Sequence, residues 1–262
     1  MTMQDAQGTV LKQTLIAPGY RTLEIGMPES FTAACRPGQF VHVRLPNIEA
    51  SALRRPFSIY GAEAGILRLL YKTVGRGTTL MNAWSEGVRI RVLGPLGRGF
   101  PMPADDTLPV LIAGGYGVAP LSFLASRLPR PGIVLIGGRT AEDILVRDDF
   151  IRLGWEVRIA TQDGSLGTQG LVTRLLDDLF LEKPETPLEL FSCGPDGLLR
   201  AVGERAIAHG SKGWLSLDKH MVCGVGACLA CVQKLRRPDG STWTGRVCED
   251  GPVFESREID WA

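Results

Sequence analysis

The stretch DKHMVCGVGACLACVQKLRRPDGSTWTGRVC, residues 218–248, contains four cysteines: Cys223, Cys228, Cys231 and Cys248. The first three follow C-x4-C-x2-C, the opening of a plant-type [2Fe–2S] ligand set whose fourth cysteine lies on a distant segment. Gly224 and Gly226 let the backbone approach sulfur and adopt positive φ where a tight loop needs it. VQKLRR and STWTGRV flank Pro238-Asp239-Gly240, so the segment between Cys231 and Cys248 reads as a β-hairpin that returns Cys248 to the other three. Four thiolates also suit zinc, although zinc ribbons usually carry two C-x2-C knuckles. Disulfides are a third reading. The spacing favours iron–sulfur over zinc, and zinc over disulfides.

Upstream of this segment, residues 104–212 change period. Apolar runs at 110–113, 133–136, 157–161 and 188–192 alternate with helical patterns at 118–128, 142–153, 171–180 and 197–209. That alternation predicts a parallel α/β sheet. The uncharged run 107–126 is long enough to suggest a membrane span. Gly114-Gly115-Tyr116-Gly117 interrupts it, and a strand, a turn and a helix start explain it better. Residues 210–213 (GSKG) read as a small polar linker to the cysteine unit, 213–262.

Residues 1–103 read as antiparallel β. Short alternating runs recur: VLKQTL (10–15), RTLEI (21–25), QFVHVRL (39–45), FSIY (57–60), LRLLYK (67–72) and VRIRVL (88–93). Gly and Pro punctuate the gaps, and one short helix is expected at 78–84. Six such strands predict a small closed barrel.

The bulk numbers fit this plan. The 262 residues have room for two or three small units, and the apolar content of 44% is ordinary for a globular protein. A net charge of +1 implies no nucleic-acid partner. The N-terminal stretch lacks an apolar signal core, so a cytoplasmic, reducing setting is expected, where clustered cysteines more often hold metal than form disulfides.

Three upstream stretches fit one redox machine. In RRPFSI (54–59), the fork of Arg55 matches phosphate oxygens, and Phe57 and Ser58 suit the edge of a flat ring system. In GRGTT (75–79), Gly77, Thr78 and Thr79 open a helix and would offer N–H groups and hydroxyls to the same phosphates. AGGYGVAPL (113–121) follows an apolar strand and opens a helix, the context of a dinucleotide loop. It reads G-x-G-x-x-P, and Pro is welcome in a first helical turn. Cys193-Gly194-Pro195 ends a strand, where open parallel sheets bind ligands. A small buried thiol there is an equal reading.

The series RRPFSI, GRGTT, GPLGRGF (94–100), AGGYGVAPL, TQDGSLGTQGLVT (161–173) and CGPDGLLRA (193–201) resembles the ferredoxin–NADP reductase superfamily. With SLDKHMVCGVGACLACVQK (216–234) and GRVCEDGPVF (245–254), the chain resembles the family of electron-transfer subunits of type B dihydroorotate dehydrogenase. The resemblance implies a flavin-binding barrel (1–103), a nicotinamide-binding α/β unit (104–212) and a [2Fe–2S] unit (213–262). It also implies an FMN-containing catalytic partner in a heterotetramer, with electrons passing from partner flavin to cluster, FAD and NAD. Arg55, Pro56, Phe57 and Ser58 would contact FAD, with Ser58 nearest the flavin's reactive nitrogen. Tyr71, Lys72, Gly77, Thr78 and Thr79 would line the flavin and its pyrophosphate. Gly114, Gly115, Gly117 and Pro120 would form the nicotinamide-dinucleotide loop, and Cys193, Gly194 and Pro195 would border the nicotinamide. Ser58 and Cys193 are the residues placed at the reacting rings. Cys223, Cys228, Cys231 and Cys248 would hold the cluster.

A [2Fe–2S] cluster carries one electron and nicotinamide takes a hydride, so flavin belongs between them. Arg139, after the second α/β strand, stands where a 2′-phosphate would favour NADP, though the family points to NAD. His42 reads as structural, Cys35 as an ordinary core or loop cysteine, and His220 as a surface residue. Two other functions remain open on sequence: an NAD(P)H reductase serving a different partner, and a zinc-stapled nucleotide-binding module without redox turnover.

Overall fold

The computed structural model describes residues 3–45 and 54–261, so residues 1–2 and 46–53 of the 1–103 unit and residue 262 of the 213–262 unit lie outside it. Six antiparallel strands close the barrel: β1 (Gln4–Ala17), β2 (Tyr20–Gly26), β3 (Phe40–Arg44), β4 (Arg55–Glu63), β5 (Ile66–Lys72) and β6 (Arg89–Leu96), in the order β1-β2-β5-β4-β3-β6. Alternation does the sorting. Leu23 and Ile25, Val41 and Val43, Leu67 and Leu69, and Ile90 and Val92 share one buried cluster inside it. Alternating with Val41 and Val43, Phe40 and His42 take the other face of β3, yet both are buried. Phe40 joins a second core with Leu96, Cys231, Val247, Cys248 and Phe254, so the cysteine segment covers that side of the barrel. The short helix α1 (Glu29–Ala34) lies between β2 and β3, and α2 (Arg76–Met81) starts two residues before the helix predicted at 78–84.

The remaining strands are β7 (Leu108–Gly114), β8 (Ile133–Gly138), β9 (Glu156–Thr161), β10 (Thr168–Gln169), β11 (Leu188–Cys193), β12 (Lys212–Ser216), β13 (Val232–Arg236), β14 (Thr242–Arg246) and β15 (Val253–Glu255). Seven of them form one sheet in the order β10-β9-β8-β7-β11-β12-β15. All neighbours in it are parallel except β12 with β15. The strand order reverses beside β7, which makes the carboxyl ends of β7 and β11 the switch point where such sheets bind ligands.

Helices α3 (Val118–Ala125), α4 (Arg147–Arg152), α5 (Val172–Glu182), α6 (Asp196–His209) and α7 (Val247–Asp250) complete the fold. Every residue of α3 is buried, which accounts for the uncharged run that contains it. A helix apolar on all sides is a core helix unless it spans a membrane, and among the described residues no helix is long and apolar enough to do that. In α5, Val172, Leu175, Leu176 and Leu179 bury one stripe at helical spacing while Asp177 and Asp178 face out.

Two expectations fail here. The helix predicted over 142–153 is a short 3₁₀ turn, Ala141–Asp143, then α4, with Val146 at φ 46 between them. The break turns Asp143 inward to accept from the Arg139 N–H at 3.1 Å. The linker predicted at 210–213 is instead the left-handed C-cap of α6 at Gly210 followed by β12. Trp214 and Leu215 pair with Phe191 and Ser192, so the sheet runs on past residue 213 and then takes β15 from the far side of the cysteine loop.

Candidate functional site

A cleft of about 1130 Å³ opens between the barrel and the carboxyl ends of β7 and β11. Barrel residues Arg55, Pro56, Phe57, Ser58, Tyr71, Lys72 and Thr78 line one side, and Gly114, Gly115, Gly117, Cys193, Gly194 and Pro195 line the other. Thirteen sequence-predicted residues therefore converge from separate stretches of chain. Arg139 lines the same cleft.

Three do not. Gly77 is buried beneath Arg55: a Cβ there would lie 3.2 Å from Arg55 Nε and 3.0 Å from Leu45. Its smallness serves the arginine rather than a phosphate. Thr79 is exposed, and its N–H donates to the Gly75 carbonyl at 2.9 Å, an ordinary helical bond. Pro120 is buried inside the first turn of α3. Thr78 does reach the cleft, but its hydroxyl already accepts from the N–H groups of Val74 and Gly75 and donates to the Gly75 carbonyl.

The two glycine turns meet each other. A Cβ on Gly117 would sit 2.3 Å from the Cys193 carbonyl oxygen, closer than any real Cβ contact. Glycine at 117 thus lets the turn after β7 nest on the turn after β11. Cys193 is buried, and burial pushes its thiol up to about 12. Burial therefore favours the neutral thiol where Cys193 lines the cleft.

The sequence reading missed Tyr20 and Asp143, which close the floor of the cleft. Tyr20 donates to Asp143 Oδ1 at 2.6 Å, and Lys72 Nζ donates to the Tyr20 oxygen at 2.8 Å. Burial, the bond to Asp143 and its charge together push the Tyr20 phenol well above its usual range. For Asp143, burial works upward, but the Tyr20 hydroxyl, the Arg139 N–H and Lys72 outweigh it and hold the carboxyl below the ordinary value. A second tyrosine of the barrel, Tyr60, donates to Asp149 on α4. Nothing in the spacing of these four residues marks them; only the docking of the two units brings them together.

Beside the cleft, the cysteine segment is built as predicted from sequence. β13 and β14 pair from Val232–Arg246 to Arg236–Thr242. Asp239 closes the turn by accepting from the Ser241 N–H and hydroxyl at 2.8 and 2.6 Å. Val247 N–H donates to the Cys231 carbonyl at 3.0 Å, which sets Cys248 beside Cys231. All four thiols are free.

The thiols fall into two pairs. Cys228 N–H donates to Cys223 Sγ at 3.4 Å, and Cys248 N–H donates to Cys231 Sγ at 3.4 Å. The first pair is half-buried and the second buried. Two thiols for each of two irons is the arrangement a [2Fe–2S] centre uses. Further N–H groups point at sulfur: Gly226 to Cys248 at 3.2 Å and Val225 to Cys223 at 3.5 Å. Burial works to raise the Cys223 thiol, but these donors outweigh it and bring it down to about 6. Burial pushes Cys248 up to about 12, with its neighbour Cys231 adding to it. A loop that supplies N–H donors to thiolate sulfur fits an iron–sulfur centre.

Cys35 lies in the barrel core, its thiol donating to the Phe31 carbonyl at 3.4 Å, and His220 is exposed; both agree with the sequence reading.

Residues 218–260 match the family model for the iron–sulfur cluster binding domain of dihydroorotate dehydrogenase B. The electron transfer subunit of dihydroorotate dehydrogenase B (NAD(+)) from Desulforamulus reducens is 37% identical over 96% of this chain and 97% of its own length. The corresponding protein of Geobacillus kaustophilus is 39% identical over 96% of both. Among solved structures, one of an NADH-dependent reduced ferredoxin-NADP oxidoreductase superposes with a TM-score of 0.83 at 29% identity, covering 97% of this chain and 90% of that one. A ferredoxin NADP+ reductase from Neisseria gonorrhoeae shares the fold at a TM-score of 0.65 and 19% identity, over 80% of this chain and 92% of that one. The chain belongs to the family of electron-transfer subunits of NAD-dependent dihydroorotate dehydrogenase B.

Proposed function

We propose that this protein carries electrons from an FMN-containing, dihydroorotate-oxidising partner to NAD, using a [2Fe–2S] centre and FAD. The observation that carries this reading is a shared wall. Leu217, Asp218, Met221 and Pro252 of the cysteine segment line the same cleft as RRPFSI and the glycine turns. The two redox sites are therefore neighbours in one body. When bound, the cluster passes single electrons, FAD exchanges one or two, and NAD takes a hydride.

The chain's own residues then have defined tasks. Arg55 presents its guanidinium to the flavin pyrophosphate, and Pro56, Phe57 and Ser58 meet the ring on the barrel side. Tyr71 and Lys72 complete that wall, with Lys72 held by Tyr20. Gly114, Gly115 and Gly117 shape the nicotinamide-dinucleotide turn, and Cys193, Gly194 and Pro195 border the nicotinamide with a neutral thiol. Arg139 leans on Asp143, Nε to Oδ2 3.5 Å. The NAD(+)-dependent relatives support NAD over NADP. Hydride transfer needs no general acid or base; positioning does the work.

Electrons enter at the outer thiol pair. Around it Val222, Val225 and Leu229 are exposed, Leu229 by 74%. Apolar side chains this exposed beside a redox centre support a partner-docking face. The same reading places the protein in the cytoplasm, where reducing conditions keep the thiols available to iron, as part of a heterotetramer.

The test is anaerobic purification with a visible spectrum and analysis for flavin, iron, sulfide and zinc. It is followed by mixing with a dihydroorotate dehydrogenase catalytic subunit and NAD. Flavin bands with about two iron and two sulfide per chain, and dihydroorotate-dependent NADH formation, are expected. Zinc without flavin would sink the electron-transfer reading. A flavin and cluster that oxidise NADH but never couple to dihydroorotate would assign a different partner.

A further inference from the structure

His42 lies between the two redox sites. On β3 its backbone pairs with Pro56 of RRPFSI. Its ring packs on Gly224, the residue after Cys223. A Cβ at Gly224 would lie 2.6 Å from His42 Cε1 and 2.8 Å from each ring nitrogen, so only glycine fits, and Gly224 also stands at φ 71. The ring is fully buried, and neither Nδ1 nor Nε2 has a hydrogen-bond partner among the described residues. Unpaired buried ring nitrogens are destabilising, and native interiors keep few of them.

Among the described residues nothing bonds to the ring; Arg54, the cation that acts on it, has a buried Nη1 that is likewise without a hydrogen-bond partner. Phe40 meets it edge-on at 5.7 Å, Leu93 stands opposite on β6, and Pro56 stands opposite on β4. Burial, reinforced by Arg54, pushes the imidazole down to about 4, so it is neutral and carries one N–H. Gly224 follows Cys223 directly in the chain, and the Cys223 sulfur already accepts from the N–H groups of Val225 and Cys228.

We infer that His42 donates its ring N–H to a sulfur of the [2Fe–2S] centre, a hydrogen bond from the flavin barrel that raises the centre's reduction potential. Reduction adds negative charge to the sulfurs, and a donor stabilises the reduced state more than the oxidised one. His42 thus tunes one site from the frame of the other. The inference rests on the proposed function, because it requires the cluster.

The experiment is an EPR-monitored redox titration of the anaerobically purified holoprotein. His42→Leu should lower the cluster midpoint by about 59 mV, tenfold in a one-electron equilibrium, and leave the FAD midpoint in place. His42→Gln keeps an amide N–H and should restore most of the shift. In a His220→Gln background, ¹⁵N-histidine labelling should give a weak nitrogen coupling to the reduced cluster in pulsed EPR. This readout decides the matter even if His42→Leu does not fold. An unmoved midpoint, equal shifts in both His42 variants, a shift confined to FAD, or no nitrogen coupling overturns the hydrogen bond. Iron and sulfide analysis of the unaltered protein comes first. Its failure overturns the proposed function, whereas a cluster present with an unmoved midpoint overturns this inference alone.

Discussion

Tyr20 of the barrel donates a buried 2.6 Å hydrogen bond to Asp143 of the α/β unit, 123 residues away in sequence. The bond crosses the floor of the cleft, and Lys72 bonds to the same phenol at 2.8 Å. A tyrosine from one unit is thus tied to a carboxylate from the other where both line the cleft.

Removing either partner should loosen the molecule. Tyr20→Phe leaves Asp143 short of a donor in a buried place, at a cost of about 1–3 kcal/mol. The thermal midpoint should fall by several degrees with FAD bound. Asp143 has its pKa depressed in the fold, so its contribution is fully present above the ordinary value of about 3.9 and is lost as pH falls through the folded value. The gap in melting temperature between wild type and Asp143→Asn should be full at pH 7 and shrink below about pH 4. A gap that stays constant across that range would exclude this role for the charge.

The four thiols should behave as one centre. Cys228→Ser or Cys248→Ser should strip most iron and sulfide while FAD stays bound, because the flavin wall comes from β4 and β5. Cys35→Ser should leave iron, sulfide and spectrum unchanged, since Cys35 sits in the barrel core. Metal analysis and the visible spectrum read both outcomes. Iron loss in the Cys35 variant would contradict the assignment.

Gly117→Ala should separate the two cofactors. The added methyl would meet the Cys193 carbonyl at 2.3 Å and force the two turns apart. NADH affinity should drop by at least about tenfold, the equivalent of 1.4 kcal/mol, with FAD content unchanged. Rapid-mixing titration of flavin reduction by NADH measures it. Unchanged affinity would mean that the turns adjust without cost.

Leu229→Asp should test the docking face. Placing a charge where an exposed leucine meets a partner should weaken the complex by about 2 kcal/mol, some thirtyfold, if Leu229 is a binding hot spot. NADH oxidation by ferricyanide should be unaffected in the isolated subunit. Sedimentation of the mixture with the catalytic subunit gives the affinity, and an undiminished complex would move the docking face elsewhere.

Much of this protein was legible in its sequence, because the signals are local. Alternation in runs such as VRIRVL makes a half-buried strand wherever it sits, and a barrel strand lies on each of those runs, although β1 begins six residues before VLKQTL. The spacing Cys223, Cys228, Cys231 and the Pro-Asp-Gly turn specify a loop and a hairpin without help from the rest of the chain. The glycine turns after β7 and β11 sit at strand ends by their own chemistry.

Contacts between elements far apart in sequence were decided only by the tertiary structure. Residues 210–213 look like a linker, yet β12 extends the sheet because Trp214 and Leu215 find Phe191 and Ser192 beside them. Gly77 reads as a phosphate-loop glycine until Arg55 is seen lying on it. Tyr20 and Asp143 carry no motif. His42 looks like any strand residue until the cysteine segment folds over the barrel and buries both its nitrogens. Periodicity and turn chemistry are written along the chain; hydrogen-bond partners across a domain boundary exist only once packing has brought the surfaces together.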